Sequence, residues 1–231
     1  MMRSSLIASL VYGIVGALPL CFAEILVRYD ADVFPEEQGW ERWLFDPDGA
    51  EVRELSDSTL RLDTRASELI SDTYNFYLGN VEPSERNPLR ISWRMQTLED
   101  HGDLLLTDVV LFLAAPTSQA IEFIIGTDTV TEGLDRGGRV LHEYAIDSGM
   151  AHDYEILTAN FQTYSFWVDG EFAFTGEFRG SAWGQVPRIA FGDAIVGTYS
   201  SLSAWDFVEA ALVPEPHACL LLGTLLLWRC R

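Results

Sequence analysis

The sequence predicts an all-β domain, a jelly-roll sandwich of two antiparallel sheets, and three observations carry that prediction. The middle of the chain is made of short runs rich in β-branched and aromatic residues, separated by Gly, Pro, Asp and Asn. It has no long stretch with the i, i+3, i+4, i+7 apolar spacing of a helix. Asp169-Gly170 stands between two alternating runs. A two-residue hairpin turn asks for those residue types, because both of its positions take positive φ.

The strands follow in order. Residues 59–65 alternate, with Leu60 and Leu62 on one side, and residues 73–78 put Tyr74, Phe76 and Leu78 on one face. Residues 89–98 alternate around Ile91, Trp93 and Met95. In the run 108–114 every residue after Asp108 is apolar, which suits a strand buried on both faces. Runs at 120–125, 139–146 and 154–159 come next, with a glycine-bearing loop at 133–138. Residues 162–168 and 171–175 flank the Asp-Gly turn, and 188–191 and 203–211 complete the series. One short helical turn is predicted at 67–71. Short strands at this spacing indicate a sandwich.

The two ends differ from this body. Arg3 precedes an apolar run at 6–20, and Cys21 and Ala23 satisfy the small-x-small rule, so cleavage by signal peptidase is expected after Ala23. The bulk of Leu20 argues against a lipoprotein site at Cys21. At the other end, Val213-Pro214-Glu215-Pro216 leads into an apolar run at 218–228 and then Arg229-Cys230-Arg231. This order resembles the PEP-CTERM sorting signal of Gram-negative bacteria. The resemblance implies processing by an exosortase-type membrane protease and a fate at the cell envelope, the cell surface or an extracellular matrix. As a helix, 11 apolar residues reach about 16 Å against roughly 30 Å of hydrocarbon, so transient membrane association is implied. The expected organisation is a signal helix over 1–23, a sandwich over 24–212 and a sorting signal with a short hydrophobic helix over 213–231.

Cys21, Cys219 and Cys230 all lie in the end segments, so the domain must be stable without a disulfide. All 15 basic residues are arginine, and the formal net charge is −20, which excludes nucleic acid as a charge-driven partner. The run Tyr164-Ser165-Phe166-Trp167-Val168-Asp169-Gly170, followed by Phe172, Phe174 and Thr175-Gly176, resembles the late hairpin of concanavalin A-like, laminin-G-like sandwiches. That resemblance implies the same fold for nearly all of 24–212. It also implies that Ala204-Trp205-Asp206-Phe207-Val208 is the last strand, paired near the N-terminal one. Pro35-Glu36-Glu37-Gln38-Gly39-Trp40 is similar to a segment of secreted bacterial proteins with sorting tails.

Hydrolases with this sandwich carry Glu-x-Asp-x-x-Glu on one strand, where period-2 spacing aims the carboxylates into one groove. That pattern does not occur here; His152-Asp153-Tyr154-Glu155 and Asp169-Gly170-Glu171 are the nearest approaches. His101, His142 and His152 lack metal-ligand spacing and read as surface or strand-end residues. Asp46, Asp48 and Glu51 around Gly49 offer oxygens to calcium, but the full calcium loop is lacking and the plainer reading is a polar turn. Among Trp40, Trp43, Trp183 and Trp205, the loop context of Trp183 makes it the candidate sugar platform. The expectation is therefore an exported, non-catalytic carbohydrate-binding or structural module that meets extracellular polysaccharide. The alternative is a glycan hydrolase or lyase with a divergent active site.

Overall fold

A computed structural model of the chain describes residues 23–45, 52–65, 71–99, 109–115, 119–133, 140–147, 149–180, 187–193 and 201–214. The expected signal helix, the C-terminal helix, Glu215, Pro216, Arg229 and Arg231 lie outside the described residues, as do Asp46, Asp48, Glu51, His101 and Trp183. Ala23 and Pro214 are irregular residues at the two limits of the described chain. No helix among the described residues is long and apolar enough to cross a membrane.

Sixteen strands are described. They are β1 (Glu24–Asp30), β2 (Glu41–Phe45), β3 (Arg53–Ser56), β4 (Thr59–Asp63), β5 (Ser71–Tyr77), β6 (Leu89–Glu99), β7 (Val109–Ala114), β8 (Gln119–Ile125), β9 (Thr129–Glu132), β10 (Glu143–Ala145), β11 (His152–Thr158), β12 (Thr163–Val168), β13 (Glu171–Glu177), β14 (Arg179–Gly180), β15 (Arg188–Asp193) and β16 (Leu202–Leu212). One sheet runs β13-β12-β11-β6-β16-β4-β3, with β1 also on β16. The other runs β10-β9-β8-β7-β15-β5-β2, with β14 on β8. Every pairing is antiparallel between Glu24↔Leu212 at one end of the chain and Arg188↔Tyr77 in the other sheet. The last strand thus pairs with the first, as the hairpin resemblance implied.

The core forms where the two alternations meet. Along β6, Leu89, Ile91, Trp93 and Met95 are fully buried while Arg90, Ser92, Arg94 and Gln96 are partly exposed. Trp93 stacks on Tyr154 at 5.2 Å, and Phe123 of the facing sheet stacks on Phe166 at 4.5 Å. A second aromatic group surrounds Phe191, which meets Trp205 at 4.9 Å and Trp40 at 5.0 Å. Large interdigitated rings remove much apolar area from water, which is how a domain without disulfides stays folded.

The Asp-Gly turn adopts the expected backbone, with φ of 51° at Asp169 and 77° at Gly170. Its side chain does more than turn. Asp169 accepts from the Asp153 backbone N–H at 2.9 Å and lies 2.6 Å from His152 Nδ1, while His152 Nε2 is 2.9 Å from the Asp147 carbonyl. His152 is therefore buried rather than a surface residue. Burial disfavours its imidazolium, but the Asp147 carbonyl and the Asp169 carboxylate outweigh that and raise its pKa. Burial likewise opposes the Asp169 charge and is outweighed by His152, which lowers the carboxyl. The lowered carboxyl contributes stability above about pH 4 that is lost as pH falls through its folded pKa. The raised imidazole contributes stability below about pH 6.5 that is lost as pH rises through its folded value. Asp169→Asn keeps the turn chemistry and removes the charge. The melting-temperature gap between wild type and this variant should peak between those limits; a gap constant from pH 3 to 9 would refute the pairing.

Several elements differ from the sequence reading. Among the described residues of the run at 139–146 only Glu143–Ala145 is a strand, and the helical turn at 67–71 falls outside the described residues except Ser71, which opens β5. The one helical segment among the described residues is a 3-10 turn at Pro35–Gln38. Pro35 pre-sets its φ, Gly39 ends it at φ 88°, and the Gln38 amide ties it to Asp30 by bonds of 2.6 and 3.1 Å. That turn delivers Trp40 to the core, where it is 3% exposed.

Candidate functional site

The residues that alternate out of the core in the first sheet form a patterned face. One cross-strand row reads Phe172, Trp167, Glu155, Ser92, Glu209, Arg28 over β13, β12, β11, β6, β16 and β1. Direct cross-strand neighbours have Cβ atoms about 5 Å apart, so each member touches or nearly touches the next. Glu155 and Glu209 flank Ser92, two strand spacings apart, or roughly 9–10 Å between backbones.

The two carboxyl groups live in different surroundings. Glu209 is 9% exposed and accepts from Arg28 Nη1 at 3.1 Å and Arg90 Nη2 at 3.0 Å. Glu155 faces a depression of about 300 Å³ that Ser92, Asp153, Trp167 and Phe207 also line. Burial pushes the Glu155 carboxyl above its ordinary range, against the nearby Arg90 charge, which pulls it down. Burial thus favours the protonated form of one carboxyl, and the other is bound by two guanidiniums. That division of environments is the arrangement acid–base pairs require.

The neighbouring row fixes the arginines. Arg94 bridges Asp153 at 2.9 Å and Asp206 at 3.1 Å, and Arg28 holds Asp30 at 2.7 Å while its guanidinium lies 5.8 Å from the Phe207 ring centre. Trp167 meets Phe172 edge-on at 5.9 Å, and Phe172 is 58% exposed. An exposed phenylalanine against a half-buried tryptophan, beside carboxylates and arginines, offers a sugar both an apolar face and hydrogen-bonding partners.

Trp40 and Trp205 are core residues, and Trp43 is a partly exposed residue of β2 that lies under the Arg188 guanidinium at 5.0 Å. The aromatic beside the carboxylates is Trp167, which sequence reasoning used only as a fold signal. Glu209 carried no signal in a linear motif, because its partner lies 54 positions away on a non-adjacent strand. The signal available was positional: Glu155 and Glu209 both sit among outward residues of otherwise inward-apolar strands. No group of three or more His, Cys, Asp or Glu residues among those described is placed to hold a metal ion.

No family model matches the chain, and no curated protein matches it. Solved structures do. The carbohydrate esterase of the Shiga toxin-encoding bacteriophage phi24B superposes with a TM-score of 0.57 at 15% identity, covering 83% of this chain and all of that one. LamA from Z. galactanivorans, in complex with laminaritriose and laminaritetraose, superposes at 0.50 with 10% identity, covering 81% and 98%. The expectation of a non-catalytic module is corrected here. Chains with this sandwich include a named carbohydrate esterase, and the missing Glu-x-Asp-x-x-Glu pattern excluded carboxylates on one strand only, leaving a pair on separate strands unconsidered. The chain is similar to these proteins in fold: it is an all-β, concanavalin A-like jelly-roll sandwich of two antiparallel sheets.

Proposed function

We propose that this chain is an exported glycan hydrolase that works on the outer face of its first sheet. The carrying observation is the row in which Glu155 and Glu209 flank Ser92 beside Trp167 and Phe172. Glu155, raised by burial, protonates the leaving glycosidic oxygen. Glu209 serves the opposite side of the sugar ring as base, with Arg28 and Arg90 orienting it. Two strands of separation leave room for a water between carboxylate and sugar, which favours the inverting course. The substrate class is a neutral polysaccharide, since a chain of net charge −20 repels polyanions.

Export by signal peptidase after Ala23, and sorting by an exosortase-type protease through Pro214-Glu215-Pro216 and the basic end at Arg229 and Arg231, complete the reading. The destination is the envelope or extracellular matrix of a Gram-negative bacterium. Mass spectrometry of the secreted protein reads both termini. For the chemistry, the full chain is incubated with neutral β- and α-glucans, xylan and mannan, and reducing ends are counted. Release from at least one is expected; none from any of them overturns the hydrolase.

A further inference from the structure

A cavity of about 540 Å³ lies beside β12 and β13 and is not used by the carboxylate pair. His142, Tyr164, Ser165, Thr175, Glu177 and Arg179 line it. His142 Nδ1 lies 2.5 Å from Glu132 Oε2, and the Glu132 side chain is only 3% exposed against 36% for the histidine. The imidazole packs flat on Phe174, with centroids 4.6 Å apart and planes 10° off parallel. Two fixed contacts, one in the ring plane and one on the ring face, leave the imidazole little freedom. With its proton on Nδ1 the ring donates to the buried Glu132 carboxylate; the His142 carbonyl accepts from the Glu132 backbone N–H at 2.9 Å, and no other side-chain hydrogen bond of His142 is found among the described residues. The free Nε2 is therefore presented as a proton acceptor on the wall of the cavity.

The phenol of Tyr164 closes the floor. A Cβ on Gly176 would overlap the Tyr164 ring, so glycine at that strand position is what lets the tyrosine lie there. Leu157 and Ser165 of the same cavity are the next outward residues after Glu155 and Trp167 on β11 and β12, so the cavity adjoins the glycan face.

We propose that His142 is the general base of a second hydrolytic site, which removes ester-linked acyl groups from glycan chains, with Glu132 as its positioning residue. The choice of bond follows from the groups present. Glycosidic cleavage is driven by a carboxylic acid pair, whereas a neutral imidazole suits activation of water toward an ester carbonyl. Glu85 and Glu177 on the cavity wall disfavour a phosphate ester. In the reaction, His142 Nε2 takes a proton from water as the water oxygen bonds to the acyl carbon. The bond from that carbon to the sugar oxygen then breaks, and the sugar oxygen takes the proton back from Nε2. Arg179 faces the oxyanion formed in between. The products are a carboxylic acid and a free sugar hydroxyl, and water is the sole co-reactant. That the acyl group is carried by a glycan rests on the hydrolase reading; the ester chemistry does not.

The test measures acetate and reducing ends in the same digests, using the full chain with acetylated xylan, acetylated glucomannan and 4-methylumbelliferyl acetate. Acetate release is expected, with kcat/KM falling about 10²–10⁴-fold in His142→Gln. Glu132→Gln should lower kcat more than it raises KM and should displace the acid limb of the pH profile, which a purely structural role would not do. Should His142→Gln fail to fold, Glu132→Gln decides, because it keeps the imidazole and removes only the carboxylate that positions it. No acetate from any of the three probes, or unchanged release by a folded His142→Gln or Glu132→Gln, overturns the proposal. Acetate without reducing ends removes the hydrolase and leaves this site standing, and reducing ends without acetate do the reverse.

Discussion

Glu155→Gln and Glu209→Gln are each expected to cut reducing-end release by about 10²–10⁴-fold, with different signatures. Glutamine keeps the shape of each side chain and removes its capacity to give or take a proton. Loss of the acid at Glu155 is felt most with a poor leaving group. An aryl glycoside, whose phenolate leaves without protonation, should therefore restore turnover in Glu155→Gln. It should not do so in Glu209→Gln, where activation of water is what is missing. The pH profile gives a second reading. Glu155 acts while protonated, and burial raises its pKa, so wild-type activity should persist to higher pH than an ordinary carboxyl allows and then decline. In Glu155→Gln that basic limb should disappear. Equal rescue of both variants by the aryl substrate would remove the assigned roles. Full activity in either would remove the site.

Most of the fold was legible in the sequence because burial imposes period 2 on any strand with one wet face. The segments around Trp93 and Phe166 show this, burying every second residue, and Ser203 and Trp205 open β16 in the same way. The strands that escaped lacked it. β3 (Arg-Glu-Leu-Ser) has no fully buried side chain, and β1 begins with two exposed residues directly after an apolar segment of another character. The site was less legible for a related reason. Glu155, Ser92 and Glu209 become neighbours through pairings of β11 with β6 and of β6 with β16, contacts between residues 63 and 117 positions apart. A linear motif search reads one strand at a time and cannot see a row that crosses six. Likewise, His142 and Glu132 are ten residues apart on no regular spacing, and the tie between them depends on the antiparallel path of β9 and β10.

The largest expected effect on stability falls at Asp72, on the sheet that carries no candidate carboxylate pair. Asp72 is fully buried, and both of its oxygens accept from Arg42, at 2.8 Å from Nε and 2.8 Å from Nη2. Tyr74 donates to it at 3.4 Å, and Arg53 joins Tyr74 to Glu36 while its guanidinium covers Phe34 at 4.1 Å. The planar fork of arginine matches the carboxylate, which is the geometry that repays the desolvation of both charges. Arg42 is held charged chiefly by that bond, which drives its pKa upward against the burial that would lower it. Asp72→Asn removes one charge and one of the two acceptors, leaving a mostly buried guanidinium without its counter-ion. Breaking a buried pair from one side costs about 3–5 kcal/mol. Asp72→Leu combined with Arg42→Met removes both charges and should recover a substantial part of that loss, because no ion is left stranded. Chemical denaturation of Asp72→Asn, of the single variants Asp72→Leu and Arg42→Met, and of the double variant measures this directly. If the double variant proves as unstable as the sum of the two single changes, the pair is not coupled and the loss must be assigned to packing around β2 and β5 instead.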